Sequence, residues 1–195
     1  MIGLTEQILV VPGDYLREIT DGKPGLHDFD EKRIETIIDR YGEFRLRDEM
    51  EHNPAYKQII PYIAMYNTQG DILTLVRTKS QSERRLHNMV SLGVGGHVND
   101  QDSDKPLEAY KKGMQREIDE EVDVTLLNKT EFLGVIYDET TDVGSVHLGM
   151  AFKVMIDFNG INEKDKFEHS WKTPEELKEI TESMEGWSVH ILEKL

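Results

Sequence analysis

Apolar and polar positions divide most of this chain into short segments with readable periods. Residues 59–66 and 72–78 are apolar-rich runs of strand length, and Asn67-Thr68-Gln69-Gly70-Asp71 between them is hairpin-turn chemistry. A further strand is predicted over 86–92, running into Gly93-Val94-Gly95-Gly96. The period then changes. Leu107, Tyr110, Met114, Ile118 and Val122 recur at spacings of 3, 4, 4 and 4, the stripe of an amphipathic helix. Asp104 is its predicted N-cap, and Pro106 stands in the first turn, where a missing N–H costs nothing. Strands follow over 131–138 and 146–156. In the second, Val146, Leu148, Met150, Phe152, Val154 and Ile156 share one parity and should face a core, while His147, Gly149 and Ala151 share the other. Residues 174–184 and 188–195 read as helices.

Upstream, residues 1–56 have a character of their own. They hold a strand over 7–11, a turn at Gly22-Lys23-Pro24-Gly25 and a helix over 30–41 patterned by Ile34, Ile37, Ile38 and Tyr41. The order predicts an α+β fold, with residues 1–56 as an α/β extension packed on a domain of residues 57–195.

Charge narrows the function. Acidic side chains number 38 against 23 basic ones, a formal charge of -15. Nucleic-acid polymers and anionic membranes need clustered cations, so neither is an expected partner. A local basic pocket for a phosphorylated small molecule stays compatible with this balance. Cysteine is absent, which removes disulfides, zinc-thiolate sites and cysteine nucleophiles. With neither a signal-peptide pattern nor a run of membrane-span length, the expectation is a soluble cytoplasmic protein.

The predicted helix around residues 107–122 carries Glu117, Glu120 and Glu121 within five residues. Like charges at i,i+3 and i,i+4 cost a few tenths of a kcal/mol per pair, so such a helix is either a solvated acidic face or a cation site. On a helical projection Glu121 lies nearest the apolar stripe, Glu120 furthest from it, and Glu108 on the opposite flank. The glycines upstream favour the cation site, because a backbone without Cβ atoms can approach an ion and offer it a carbonyl oxygen from Gly95 or Gly96. Hard oxygen donors suit Mg²⁺, which would neutralise a pyrophosphate and lower the pKa of an attacking water.

Gly95-Gly96, Glu108 and Arg116-Glu117-Ile118-Asp119-Glu120-Glu121 together resemble the Nudix box, and the spacing from Glu108 through Glu121 matches that pattern at every fixed position. There are two departures. Eleven residues, not five, separate Gly96 from Glu108, so the loop over 99–105 is enlarged. Asp123 stands where the box has glycine, a residue less suited to the left-handed helix end.

The resemblance implies an α/β/α sandwich with a mixed sheet, and hydrolysis of a nucleoside diphosphate linked to another moiety. It implies Mg²⁺ or Mn²⁺ held by Glu117 and Glu121, with Glu120 assisting and a carbonyl from Gly95 or Gly96. It also gives Arg116 and Glu108 the task of orienting the carboxylates. A late-loop acid, Glu139 ahead of Asp142, would serve as base or further ligand. Arg77, Arg84 and Arg85 could hold phosphates or lie on a plain surface; His97 and His147 could contact substrate or be structural. Two other functions compete: a catalytically silent ligand-binding or regulatory module, and an isomerase of the isopentenyl diphosphate type, which relies on a cysteine this chain lacks. A homodimer is compatible with all three.

Overall fold

The computed structural model describes residues 6–20, 22–77, 89–162 and 167–195, without the side chain of Arg77. Helices and strands are interspersed along the chain, as an α+β fold requires. Two compact units emerge. One comprises Met1–Pro61, Gly96–Arg116 and Gly134–Met150; the other comprises Tyr62–Gly95, Glu117–Leu133 and Ala151–Leu195.

The first unit is organised around β1 (Gln7–Pro12), whose Ile8, Leu9, Val10 and Val11 are all buried. A strand covered on both faces reads as an unbroken apolar run, which is what this segment is. It pairs antiparallel with β3 (Glu43–Leu46) on one edge, and with the start of β4 (Tyr56–Tyr66) on the other through Val10↔Gln58 and Val11↔Lys57. Strand β2 (Gly25–His27) pairs with the end of β9 (Glu131–Tyr137). Helix α1 (Glu31–Tyr41) begins where its pattern predicts. The Asp30 carboxylate accepts the Arg33 N–H at 2.8 Å, and Ile34 and Ile38 are fully buried. A helix this short is marginal in water. The two isoleucines, at about 1.5–3 kcal/mol each on full burial, are what hold it.

Helix α3 (Pro106–Glu121) contributes residues 106–116 to the first unit and 117–121 to the second. Tyr110 and Ile118 are buried as expected, but so are Ala109, Gly113 and Glu117, whereas Leu107 and Met114 are half-exposed. The buried stripe is therefore rotated toward the small residues, over which neighbouring chain can close. At Gly113 a Cβ would lie 2.8 Å from Asp102 Oδ2 and 3.0 Å from Val98 Cγ2. Rotation also changes the order of the glutamates, since Glu117 is the most buried, Glu121 half-buried and Glu120 exposed.

In the second unit β5 (Ile72–Arg77) lies between β11 (Phe167–Lys172) and β6 (Val90–Ser91), antiparallel to both. The hairpin forms where the sequence predicts it. Asn67 Oδ1 accepts the N–H groups of Gln69 and Asp71, each at 2.9 Å, and Gly70 takes φ +89°. Strand β7 (Gly93–Val94) pairs with β4 at Ile63 and Ala64. Part of the strand expected over 86–92 lies outside the described residues.

Three differences from expectation have local causes. Strand β8 (Val122–Leu126) starts directly at the end of α3, because Asp123 enters extended backbone opposite Gly160 of β10 (His147–Ile161) rather than a left-handed cap. Edge strands β3 and β11 carry too few apolar residues to show a period of two. The helix expected over 174–184 is instead α5 (Pro174–Glu179), with Thr173 and Glu176 in a capping box, followed by a 3-10 turn at Thr181–Ser183. Helix α4 (Asp142–Val146) precedes β10, and α6 (Gly186–Leu192) overlaps the last predicted helix but begins and ends earlier.

A buried polar chain fixes the second unit. Leu92 N–H donates to Ser188 Oγ (3.0 Å), and Ser91 Oγ–H donates to the Gly93 carbonyl (3.0 Å). Tyr62 Oη lies 3.0 Å from Ser91 Oγ and 2.7 Å from Ser188 Oγ. Only one proton order satisfies every group: Leu92 to Ser188 to Tyr62 to Ser91 to Gly93. The Tyr62 ring rests so closely on Gly93 that a Cβ there would lie 2.5 Å from it.

Two stability predictions follow from these contacts. Ser188→Ala orphans the Leu92 N–H and one side of the Tyr62 hydroxyl, and should cost about 1–3 kcal/mol in urea unfolding; a change within about 0.5 kcal/mol, the range of a neutral surface position, would contradict it. Gly113→Ala should gain about 1 kcal/mol of helix propensity but lose about 1–3 kcal/mol to crowding against a pinned Asp102. Net destabilisation is expected, and a stabilised variant would mean the loop yields freely.

Candidate active site

Arg116 is held by the enlarged loop. Its Nε donates to Asp102 Oδ1 (2.8 Å), while Nη2 donates to Asp102 Oδ2 (3.1 Å) and to the His97 carbonyl (2.9 Å). Asp102 in turn accepts the Asn99 N–H (3.0 Å) and donates its own N–H to the Asn99 carbonyl (3.1 Å). The Asp102 side chain is only 5% exposed and that of Arg116 27%, so this is a bidentate pair largely out of water. Sequence spacing flagged the loop as a departure; the signal that could have identified Asp102 was the Asn99–Asp102 turn pattern within it.

Glu108 faces solvent and pairs with Lys112 at 2.7 Å and Lys105 at 3.8 Å. The Lys112 ammonium, by hydrogen bond and charge, holds its carboxyl below the usual range. Glu117, Glu120 and Glu121 occupy the last turn and a half of α3, so their side chains leave one rigid rod within about one helical turn. Gly95 and Gly96 follow β7 and are half-buried. Arg77 ends β5, and Arg84 and Arg85 lie outside the described residues.

His97 and His147 meet. Their Nε2 atoms are 3.3 Å apart, and the rings cross at 62°. His147 Nδ1–H donates to the Val143 carbonyl (2.6 Å), and His97 Nε2 lies 2.7 Å from Oε1 of the fully buried Gln58. Burial first, then the charge of Arg47, with His147 and Arg116 adding to it, pushes the His97 pKa well below its ordinary value, so its ring is neutral at pH 7. Glu51 lies beside them, and one donor atom each from Glu51, His97 and His147 falls within 4.8 Å of the others. No spacing in the sequence links these positions.

Glu139 meets a buried lysine. Lys57, 5% exposed, donates to the Glu139 carboxylate and to the Ser145 carbonyl, and its ammonium lies 5.6 Å from the Tyr137 ring centroid. Lys57, and after it the Tyr137 hydroxyl, hold the Glu139 carboxyl below its usual range. Partial burial and Glu139 push the Tyr137 phenol up to about 12. A pocket of about 570 Å³ opens beside this group, with Arg17, Thr20, Tyr56, Lys57, Tyr137 and Glu139 in its wall. Asp142, the first residue of α4, is exposed.

No protein-family model matches the chain. Protein YmaB of Bacillus subtilis (strain 168) is 29% identical over 204 residues, spanning 98% of each chain. The crystal structure of DR0079 from Deinococcus radiodurans is 20% identical, covers 88% of this chain and 97% of its own, and superposes with a TM-score of 0.57, a likeness of fold. The crystal structure of Tm1382, a protein provisionally assigned as a Nudix hydrolase, is 38% identical over 97% of both chains, with a TM-score of 0.87. At that identity and coverage, and with the box glutamates on a single helix, this chain belongs to the Nudix hydrolase superfamily.

Proposed function

We propose that the protein hydrolyses a pyrophosphate bond in a nucleoside diphosphate linked to another moiety, or in a related phosphorylated small molecule, with Mg²⁺ or Mn²⁺ at the α3 carboxylates. The observation that carries this reading is the trio Glu117, Glu120 and Glu121 on the last turns of α3, in a chain of this family. The donor chemistry fits: carboxylate and carbonyl oxygens are what a hard divalent cation takes, and at most a few of them come from protein. Such a cation supplies charge neutralisation on the diphosphate and lowers the pKa of water.

The chain's own residues do the rest. Glu117 and Glu121 hold the ion, Glu120 assists, and a carbonyl of Gly95 or Gly96 adds an oxygen. Arg116, gripped by Asp102 and the His97 carbonyl, keeps α3 and the loop in fixed relation, so its role is positioning. Glu108, tied to Lys112, supports the opposite flank of the helix. Glu139 stays ionised beside Lys57, which suits a charged ligand better than a strong base at neutral pH. The first unit's pocket, lined by Arg17, Tyr56, Lys57, Tyr137 and Glu139, offers aromatic faces and paired charges to a ligand group. Retention of every box carboxylate favours an enzyme over a silent module.

Groups that merely back metal ligands already cost about 10–100-fold when removed, so Glu121→Gln and Glu117→Gln should each lower Mg²⁺- or Mn²⁺-dependent hydrolysis by more than about 100-fold. The fold, followed by circular dichroism, should persist. Full activity in both variants would refute the metal assignment. A panel of nucleoside-diphosphate compounds and other pyrophosphates, read for products with each ion, would favour a silent module if none turned over.

A further inference from the structure

The first unit gathers a set of donors whose chemistry differs from that of the carboxylates at the end of α3. Glu51 directly follows α2 (Arg47–Met50), His97 follows the glycine pair, and His147 opens β10. We propose that Glu51, His97 and His147 form a His₂Glu site for a divalent transition ion of the zinc class, separate from the carboxylates of the box and independent of the hydrolase reading.

The distances suit an ion. Two imidazole nitrogens bound tetrahedrally at about 2.0–2.1 Å from zinc stand about 3.3–3.4 Å apart, and the two Nε2 atoms here are 3.3 Å apart. His147 is also prepared as a ligand. Its Nδ1–H is committed to the Val143 carbonyl, which fixes the tautomer with the Nε2 lone pair facing His97. A backbone carbonyl behind the ring is the usual support of a metal-bound histidine. Glu51 completes a set of three whose donor atoms lie within 4.8 Å of one another.

A second observation points the same way. The Gln58 side chain is fully buried; its Oε1 lies 2.7 Å from His97 Nε2, and its Nε2 has no hydrogen-bond partner among the described residues. The amide oxygen, not the unpartnered nitrogen, faces the histidine pair, so it sets an oxygen donor of metal-ligand type beside the two imidazoles.

A plain hydrogen bond between the two imidazoles would account for their separation, but not for the arrival of Glu51 beside them. The nearby cation does not forbid an ion. Arg47 is paired with Glu6 at 3.0 Å as well as with Glu51 at 3.3 Å, so Glu51 can be shared between Arg47 and a metal without stranding a charge. Donor type also separates the two sites. Imidazole suits zinc, iron, nickel and copper, whereas carboxylates and carbonyls suit magnesium and manganese. Three protein ligands leave a coordination position open.

Cobalt is the probe, since its visible spectrum distinguishes low-coordinate imidazole ligation from six oxygen donors. A variant carrying Glu117→Gln and Glu121→Gln should still bind one equivalent of Co²⁺ with the intense visible bands of low coordination. Zn²⁺ should displace it and excess Mg²⁺ should not; displacement by Fe²⁺ but not Zn²⁺ would overturn the zinc-class assignment. His97→Ala should abolish the bands. His147 is buried and its replacement could unfold the chain, so the half-exposed Glu51 supplies the second test, with Glu51→Gln expected to weaken Co²⁺ binding at least 10-fold. The proposal fails if wild-type protein shows no such bands. It also fails if the double variant loses them, or if His97→Ala and Glu51→Gln both bind cobalt like wild type.

Discussion

The grip of Asp102 and the His97 carbonyl on Arg116 is the constraint on which the site depends. A guanidinium three-quarters out of water is tolerable only when its charge is answered, and removing one partner of such a pair leaves the other exposed to the full desolvation cost. Three hydrogen bonds answer it here, and they come from a single loop. Because Gly113 lacks a Cβ, that loop lies directly against α3. Arg116 directly precedes Glu117, the first of the glutamate trio, on the same helix. The same bond holds the main chain at His97, immediately after the glycine pair.

Much of this was legible in the sequence. The hairpin at 67–71, the helix α1 and the acidic helix α3 all follow from periodicity and local turn chemistry, which act over a few residues. The box resemblance likewise depends on spacing within one helix. What spacing could not give was any interaction between distant segments. Lys57 with Glu139, Glu51 with His97 and His147, and Tyr62 with Ser188 are joined by packing, and no period marks them. The rotation of the buried stripe on α3 belongs here too. Apolar count favoured Leu107 and Met114, but close approach selected Ala109 and Gly113. Glu117 is buried as a consequence.

The glutamates on α3 and the histidine pair illustrate how one acidic chain can present two kinds of donor. Oxygen donors crowded on a helix repel one another until a hard cation neutralises them. Imidazoles held by a carbonyl and an amide have no such crowding of carboxylate charge, and they favour ions that accept nitrogen. The pocket beside Lys57 and Tyr137 adds a third environment, in which Arg17 and Lys57 stand with Asp14 and Glu139 among aromatic rings.

The central claim is that the acidic turn of α3 directs water onto a pyrophosphate bond. Turnover of a nucleoside-diphosphate compound in ¹⁸O-labelled water with Mg²⁺, followed by mass spectrometry of the products, tests it directly. The account predicts one labelled oxygen in a phosphate-bearing product per bond cleaved, and none when the metal is chelated. Products without label, or labelling that persists without metal, would contradict it.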